Sequence, residues 1–446
     1  MISSAQDRSG ISAVRPRAAR RMMVVTIAFL FSVMASRAAH AQTLSVLHGF
    51  TGTGGDGANP VSGLVRDSNG NFYGVTLNGG VDDGAIFKLS LQKNGAWKET
   101  TLHKFSGGSD GEFPLGRMVL DSEGNLYGTT GAFAARGTVF RLAPSGELTT
   151  LYEFCSVANC DDGQSPNGGL VRDAEGNLYG TTALGGNSKF CGEGCGVVFE
   201  IPSSGEKEVV LYAFCSVENC ADGGFLPGGG QALPDETLIL DAEGNLYGTT
   251  PLGGSGTFCE DSRGCGILFK VSAAGKETVL YNFCSQANCA DGSHPVAGLI
   301  QDADGNFYGT AANGGKHIDY GVVFELDTAG KETVLYSFPG RASQQSACAS
   351  PFVEGPCPSS LVRDAAGNLY GTSLHGGTFS SGSVFRVTST GRASTLYNFN
   401  DGANGGDPEG GLIFDPAGNL YGTTQNGGKL SDCEDSGCGT VFELTP

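Results

Sequence analysis

The stretch EGNLYGTTG, residues 123–131, returns as a near-copy along the whole chain. Its constant part is Gly-Asn, then Leu or Phe, then Tyr-Gly, and it occurs seven times. The seven copies place their tyrosine at Tyr73, Tyr127, Tyr179, Tyr247, Tyr308, Tyr370 and Tyr421. Self-similarity at a regular spacing indicates a repeat architecture, so the repeat has to be interpreted before any single motif.

Each repeat contains four short runs that are typical of β-strands. A run such as residues 169–173 (GLVRD) precedes the tyrosine strand, a run such as 137–140 (GTVF) follows it, and one such as 150–154 (TLYEF) comes last. Asp-x-x-Gly-Asn separates the first two runs in every repeat, as in residues 173–177. Asp starts a type I turn through its own backbone, and Gly supplies the positive φ that closes a hairpin. Residues 302–306 also resemble a calcium loop, but Asp304 is replaced by Ala or Asn in three of the other repeats, which favours a turn.

The residue pattern of these strands predicts a closed all-β fold. Neighbouring residues such as Leu-Tyr and Val-Phe are both apolar, whereas a strand in a half-solvated sheet alternates strictly. Strands that are apolar on both faces need cover on both sides, and sheets packed face to face around an axis provide it. We therefore expect a seven-bladed β-propeller of four-stranded antiparallel blades, forming a single domain over residues 42–446.

The two ends of the chain predict how the ring closes. Residues 46–50 (VLHGF) form a fourth strand with no first three before it, and residues 439–444 (GTVFEL) form a third strand with no fourth after it. Joined, they make one complete blade and hide a sheet edge that would otherwise be unpaired. The N-terminal strand is thus predicted to complete the last blade.

The unit GNLYGTT…GG…GTVF.L…G..T.LY.F resembles the GloVer repeat, a tandem repeat of exported bacterial proteins. The resemblance extends over nearly all of residues 44–446. It implies a propeller-like extracellular protein, and it implies no particular activity, catalytic residue or cofactor. Some members of that family end in a cell-surface sorting signal, which this chain does not show.

The N-terminus has the pattern of a secretory signal peptide. Arg15, Arg17, Arg20 and Arg21 precede an apolar run over residues 22–34, and small residues follow it. We expect residues 1–41 to be removed between Ala41 and Gln42 in general secretion; a membrane anchor is the alternative, but about 13 apolar residues are short for a span. The expected product is a soluble, monomeric protein without a membrane span, either secreted or periplasmic.

The charge of the chain limits its partners. Formal net charge is −19, and removal of residues 1–41, which carry six Arg and one Asp, would make it −24. So acidic a protein is a poor partner for nucleic acid or anionic membranes. The charge is compatible with polysaccharides, proteins and cations as ligands.

Fourteen cysteines fall into seven close pairs, which an exported protein uses as disulfides. The predicted pairs are Cys155/Cys160, Cys191/Cys195, Cys215/Cys220, Cys259/Cys265, Cys284/Cys289, Cys348/Cys357 and Cys433/Cys438. Zinc binding is the alternative, but no matched histidines accompany the pairs. The pairs occur where loops are long, between the second and third strands or between the fourth strand and the next repeat. Both kinds of loop emerge on one side of a propeller, so we expect binding or catalysis on that face.

A second motif, Asp-Gly-x-x-Pro or a looser version of it, recurs on the same face. Its carboxylates could ring the mouth of the central channel and hold Ca²⁺, or they could simply form turns before a strand. The residues concerned are Asp56, Asp110, Asp162, Asp222, Asp291 and Asp401.

The sequence favours a binding module over an enzyme. His48, His103, His294, His317 and His375 lie in different repeats, and the chain has no Gly-x-Ser-x-Gly elbow in a strand-to-helix setting, no phosphate loop and no metal-binding His pair. Loop phenylalanines are the candidate contacts for a carbohydrate or protein ligand: Phe190, Phe225, Phe258, Phe352 and Phe379. The alternatives are a polysaccharide-active enzyme, a glycoside hydrolase or lyase with carboxylates at the channel mouth, and a purely structural extracellular protein.

Overall fold

A computed structural model describes most of the chain from residue 42 to residue 446. Within this range it leaves out 80–82, 132–135, 167, 189, 192–193, 206, 226–236, 260–262, 317–319, 340–346, 349–352, 355–357, 430–432 and 434–435. The predicted signal peptide, residues 1–41, lies outside the described residues. Residues 42–446 form one compact unit.

Seven four-stranded antiparallel sheets form the blades of a propeller, as the repeat predicts. From the first strand to the fourth, blade 1 consists of Val65–Arg66, Phe72–Thr76, Ala85–Leu91 and Trp97–Lys104; blade 2 of Val119–Leu120, Leu126–Thr130, Thr138–Leu142 and Leu148–Glu153; and blade 3 of Val171–Arg172, Leu178–Thr181, Val197–Ile201 and Val209–Ala213. Blade 4 consists of Ile239–Leu240, Leu246–Thr250, Ile267–Val271 and Glu277–Asn282; blade 5 of Ile300–Gln301, Phe307–Asn313, Val322–Leu326 and Glu332–Ser337; and blade 6 of Val362–Arg363, Leu369–Ser373, Ser383–Val387 and Ala393–Asn398. Blade 7 consists of Ile413–Phe414, Leu420–Thr424, Thr440–Thr445 and the N-terminal strand Thr43–Gly49.

The structure also contains a few short elements outside the four strands of each blade. Gly57–Ala58 pairs with Asn78–Gly79, Ser293–Pro295 adds to the second strand of blade 5, and Ala347–Cys348 pairs with Val353–Glu354. The helical segments in the described residues are three single 3₁₀ turns, Ala158–Cys160, Glu218–Cys220 and Ala287–Cys289. None of the helices found there has the length and apolar character needed to cross a membrane.

The predicted closure of the ring is confirmed. The N-terminal strand Thr43–Gly49 pairs antiparallel with Thr440–Thr445, with Val46 opposite Phe442. It is the fourth strand of blade 7, so both ends of the described chain lie in one sheet.

Phenylalanine pairs hold neighbouring blades together at all seven junctions. The phenylalanine that follows each fourth strand packs against the phenylalanine of the third strand in the next blade, edge-on or tilted. The ring centroids lie 4.9–5.4 Å apart in the pairs Phe50/Phe87, Phe105/Phe140, Phe154/Phe199, Phe214/Phe269, Phe283/Phe324, Phe338/Phe385 and Phe399/Phe442. Since these side chains are buried, they form the core between blades.

The second glycine of the repeat makes room for the same aromatic ring. Gly128 lies opposite Phe140 in the sheet, and a Cβ on Gly128 would stand 2.6 Å from the Cζ atom of that ring. The tyrosine strand therefore has a glycine because the phenylalanine of its own blade lies across it.

Candidate functional site

Disulfides close the long loops, as predicted. Six of the seven predicted pairs are bonded in the described residues: Cys155–Cys160, Cys191–Cys195, Cys215–Cys220, Cys259–Cys265, Cys284–Cys289 and Cys433–Cys438. The seventh predicted pair cannot be described, because Cys357 lies outside the described residues. Disulfides in this number indicate an oxidising compartment.

Two loops of the same blade meet through their disulfides. The sulfur of Cys195 lies within 4.8 Å of those of Cys215 and Cys220, and Cys265 has the same relation to Cys284 and Cys289. In each set one disulfide belongs to the loop between the second and third strands, and the other follows the fourth strand. These sulfur atoms are bonded in pairs, so they are not thiolate ligands for zinc. The meeting of the loops confirms that both kinds emerge on one side of the propeller.

The loop closed by the Cys215–Cys220 disulfide has a backbone conformation that is unfavourable for non-glycine residues. Cys215, Asn219 and Cys220 all have positive φ, between 50° and 60°, which non-glycine residues rarely adopt. Hydrogen bonds from Cys215 N to the Gly223 carbonyl (3.1 Å) and from Cys220 N to the Val217 carbonyl (3.0 Å) fix the loop. The disulfide and these hydrogen bonds together hold the loop in positive-φ conformations that the chain without the disulfide would not keep.

A pocket of about 290 Å³ opens between blades 3 and 4, where three of these loops converge. The loops are the second-to-third loop of blade 3, the loop that follows blade 3, and the second-to-third loop of blade 4. The lining residues are Phe190, Cys191, Cys195, Asn219, Cys220, Gly224, Phe225, Leu252, Gly253 and Arg263. Two disulfides, one exposed aromatic ring, one amide and one guanidinium group thus surround a single cavity.

The predicted contact phenylalanines divide into two groups. Phe190, Phe258 and Phe379 are about half exposed, at 50, 45 and 58%. Phe225 is instead buried at 3%, edge-on to Phe214 at 5.4 Å, and takes part in the pocket only as lining. Phe352 lies outside the described residues. Of the exposed rings, Phe190 is the one that lines the pocket.

Five of the six predicted aspartates are bonded to their own loop or to the strand before it, whereas Asp401 is bonded to Ser381 in the second-to-third loop of its blade. Asp162, for example, accepts hydrogen bonds at Oδ2 from Ser156 N (2.8 Å), Ser156 Oγ (2.9 Å) and the Tyr152 hydroxyl (2.7 Å). Equivalent contacts are Thr51 to Asp56, Ser106 to Asp110, Ser216 and Tyr212 to Asp222, Ser285 and Tyr281 to Asp291, and Ser381 to Asp401. Among the described residues, no close group of three possible metal ligands contains two of these aspartates. Their geometry favours the turn interpretation over a shared calcium ring.

Four of these loops place their aspartate beside a glutamate of the next blade: Asp56 lies beside Glu99, and in three further pairs the pKa of the glutamate is strongly raised. Burial, followed by the charge of the facing aspartate, raises the pKa of Glu208 (beside Asp162) to about 8 and that of Glu277 (beside Asp222) to about 7. The same causes raise the pKa of Glu332, beside Asp291, to about 8. The Oε1 atom of each of these three glutamates is buried and accepts no hydrogen bond from the described residues. No local sequence signal marks these pairs, because their members are 41–55 residues apart.

The opposite end of each blade carries the constant turns. In all seven the repeat tyrosine donates a hydrogen bond to the turn aspartate six residues before it, at 2.9–3.2 Å. In residues 302–306, Asp302 accepts from Asn306 and Tyr308 in the same way, as a turn aspartate does. This end is uniform, so variation from blade to blade is concentrated at the disulfide end.

Solved structures with a related arrangement differ widely from this chain in sequence. A luciferin-regenerating enzyme is 12% identical, with a TM-score of 0.41 and 91% of this chain and 95% of that one covered. A gluconolactonase from Xanthomonas campestris is 13% identical, with a TM-score of 0.37 and coverage of 74% and 85%. No curated protein sequence matches the chain.

The family model for the Gloeobacter/Verrucomicrobia repeat matches residues 30–231, 228–354 and 345–446, and so spans all seven blades. The chain is a member of the Gloeobacter/Verrucomicrobia repeat family.

Proposed function

We propose that this protein is an exported binding module that takes a carbohydrate ligand in the pocket between blades 3 and 4. The observation that carries the proposal is the convergence of three loops, each closed by a disulfide, around a cavity with an exposed aromatic ring. Ligand sites are commonly built on loops that a rigid scaffold positions. Here the blades are the scaffold, and the disulfides reduce the conformational freedom that binding would otherwise remove.

The chemistry of the pocket suits a neutral sugar. Phe190 offers a ring face to the C–H side of a pyranose, while Asn219 and Arg263 offer hydrogen-bond donors to hydroxyl groups. The net charge of −24 that follows from −19 on removal of the +5 carried by residues 1–41 opposes polyanionic ligands, which leaves neutral polysaccharides as the favoured class. Disulfides require an oxidising compartment, which supports a location outside the cytoplasm. The removal of residues 1–41 is part of the proposal and rests on their signal-peptide pattern.

A glycan array with the exported chain tests this function. We expect binding to a restricted set of neutral glycans, with affinity falling about tenfold for Phe190→Ala, which corresponds to about 1.4 kcal/mol. Phe379→Ala is the matched control, since Phe379 is equally exposed on a corresponding loop of blade 6 but does not line the pocket. An array without signal, or equal losses in both variants, contradicts the proposal. Release of reducing ends from a polysaccharide panel would instead support the enzyme alternative.

A further inference from the structure

We propose that His48, Asp56 and Glu99 form a binding site for one Zn²⁺ ion at the seam where the propeller ring closes. One ligand atom from each of the three side chains lies within 4.8 Å of the other two. His48 belongs to the N-terminal strand of blade 7, Asp56 to the loop that follows it, and Glu99 to the fourth strand of blade 1. The site lies at a different junction from the carbohydrate pocket and does not depend on it.

The spacing of the atoms suits a metal better than a hydrogen bond. His48 Nε2 and Asp56 Oδ1 are 3.4 Å apart, beyond the usual range for a nitrogen donor and an oxygen acceptor. Two ligands bound to zinc at about 2.0–2.1 Å in tetrahedral geometry lie roughly 3.3–3.5 Å apart. One imidazole and two carboxylates also match the ligand types that zinc accepts, with a water in the fourth position.

The surrounding residues hold the carboxylates in place. Asp56 Oδ2 accepts hydrogen bonds from Thr51 N (3.0 Å) and Thr51 Oγ1 (2.9 Å), which leaves Oδ1 on the side of His48. Thr101 Oγ1 lies 3.1 Å from Glu99 Oε1 and 3.0 Å from the Gly55 carbonyl oxygen. Such outer partners orient metal ligands and are a regular part of metal sites. The side chains of His48 and Asp56 are 23 and 16% exposed, so an ion can reach the site from solvent.

A strand irregularity directs His48 towards this loop. The pairing of Thr43–Gly49 with Thr440–Thr445 skips one residue between Val46 and His48. A bulge of this kind changes the direction in which the following side chain points. The histidine therefore faces the loop that carries Asp56.

The equivalent positions of other blades show what distinguishes this junction. Where blades 2, 3 and 4 end, a tyrosine replaces the histidine and its hydroxyl donates to the aspartate at 2.7 Å, as Tyr152 does to Asp162. At the end of blade 1, His103 lies 3.2 Å from Asp110, but Leu148 takes the place of the glutamate on blade 2. Among the described junctions, the one at His48 has all three ligands.

Equilibrium dialysis of the tag-free, chelator-stripped chain against Zn²⁺ tests the site. The variants are His48→Tyr and Glu99→Leu, each the residue that this chain itself uses at an equivalent position. His103→Tyr is the matched control at the junction that lacks a third ligand. We expect one Zn²⁺ per wild-type chain. Both site variants should lose affinity by more than about 100-fold, because each removes a direct ligand, and the loss of an outer-shell partner alone costs up to about that factor.

His103→Tyr should retain wild-type affinity, and Zn²⁺ should raise Tm in the wild type and in His103→Tyr only. The apo forms of all four proteins should have similar circular dichroism and Tm, which separates loss of the site from loss of the fold. If the wild type binds no Zn²⁺, or if His48→Tyr binds as the wild type does, the proposal is wrong. Equal losses in His48→Tyr and His103→Tyr would likewise overturn it.

Discussion

The phenyl ring of Phe50 lies 5.0 Å from that of Phe87, and this edge-on contact joins the last blade to the first. The same contact recurs at the six other junctions, and at all seven the chain runs from the fourth strand of one blade into the next blade. At the closing junction, Phe50 additionally anchors the strand that completes blade 7. Strand pairing within blade 7 closes the ring, and Phe50 packs the end of that closing strand on blade 1.

Replacement of Phe50 by Ala should weaken the propeller by about 3–5 kcal/mol, since it removes a fully buried phenyl ring and leaves a cavity. Phe283→Ala, at the junction between blades 4 and 5, is the matched comparison and should have a similar cost. Urea denaturation monitored by circular dichroism measures both. A Phe50→Ala variant within 1 kcal/mol of the wild type would show that the seam does not depend on this contact.

The hydroxyl of Tyr127 should stabilise the fold only while Asp121 is ionised. Burial alone raises the pKa of Asp121, but hydrogen bonds from Asn125, from Tyr127 and from the backbone outweigh it and bring the pKa below its usual value. A lowered folded-state pKa means that this stabilisation is present above about pH 3.8 and is lost as the pH falls through the folded value. Tyr127→Phe should therefore cost about 1 kcal/mol at pH 7 and progressively less in acid. A pH-independent difference in the denaturation midpoint would contradict this.

Glu332 should destabilise the propeller at alkaline pH. Its folded-state pKa is raised to about 8 by burial and by Asp291, above the ordinary value of 4.5. The fold therefore favours the protonated acid: full stability is present below about pH 4.5 and is lost as the pH rises through 8. Glu332→Gln should gain about 1–3 kcal/mol over the wild type at pH 9 and little at pH 4. Glu147→Gln, at an exposed turn, is the control and should show no such trend; an equal effect at both pH values would refute the role of Glu332.

The repeat predicts the blades, their number and the closure of the ring, because turn residues and apolar runs are local signals. The closeness of His48 to Glu99 has no such signal, since it arises from two fourth strands that become neighbours only when the blades pack. The same holds for Asp162 and Glu208. The burial of Phe225 could not be predicted from local sequence either, because its ring packs on Phe214, which follows the fourth strand of blade 3. Residues that differ between blades could be located on a face, but their distances could not be predicted.

The disulfide between Cys215 and Cys220 should matter more for binding than for folding. It closes a short ring, and the loop-entropy estimate gives about 2 kcal/mol for such a crosslink. Without it, Cys215, Asn219 and Cys220 are free to leave their positive-φ conformations, and the wall of the pocket that Asn219 and Cys220 form is lost. We expect Cys215→Ala/Cys220→Ala to lower Tm by only a few degrees while weakening glycan binding at least tenfold. Cys284→Ala/Cys289→Ala opens an equivalent ring that does not line this pocket, so it should lose similar stability and keep its affinity. Equal effects of the two double variants on binding, measured by isothermal titration calorimetry with a glycan from the array, would place the ligand elsewhere.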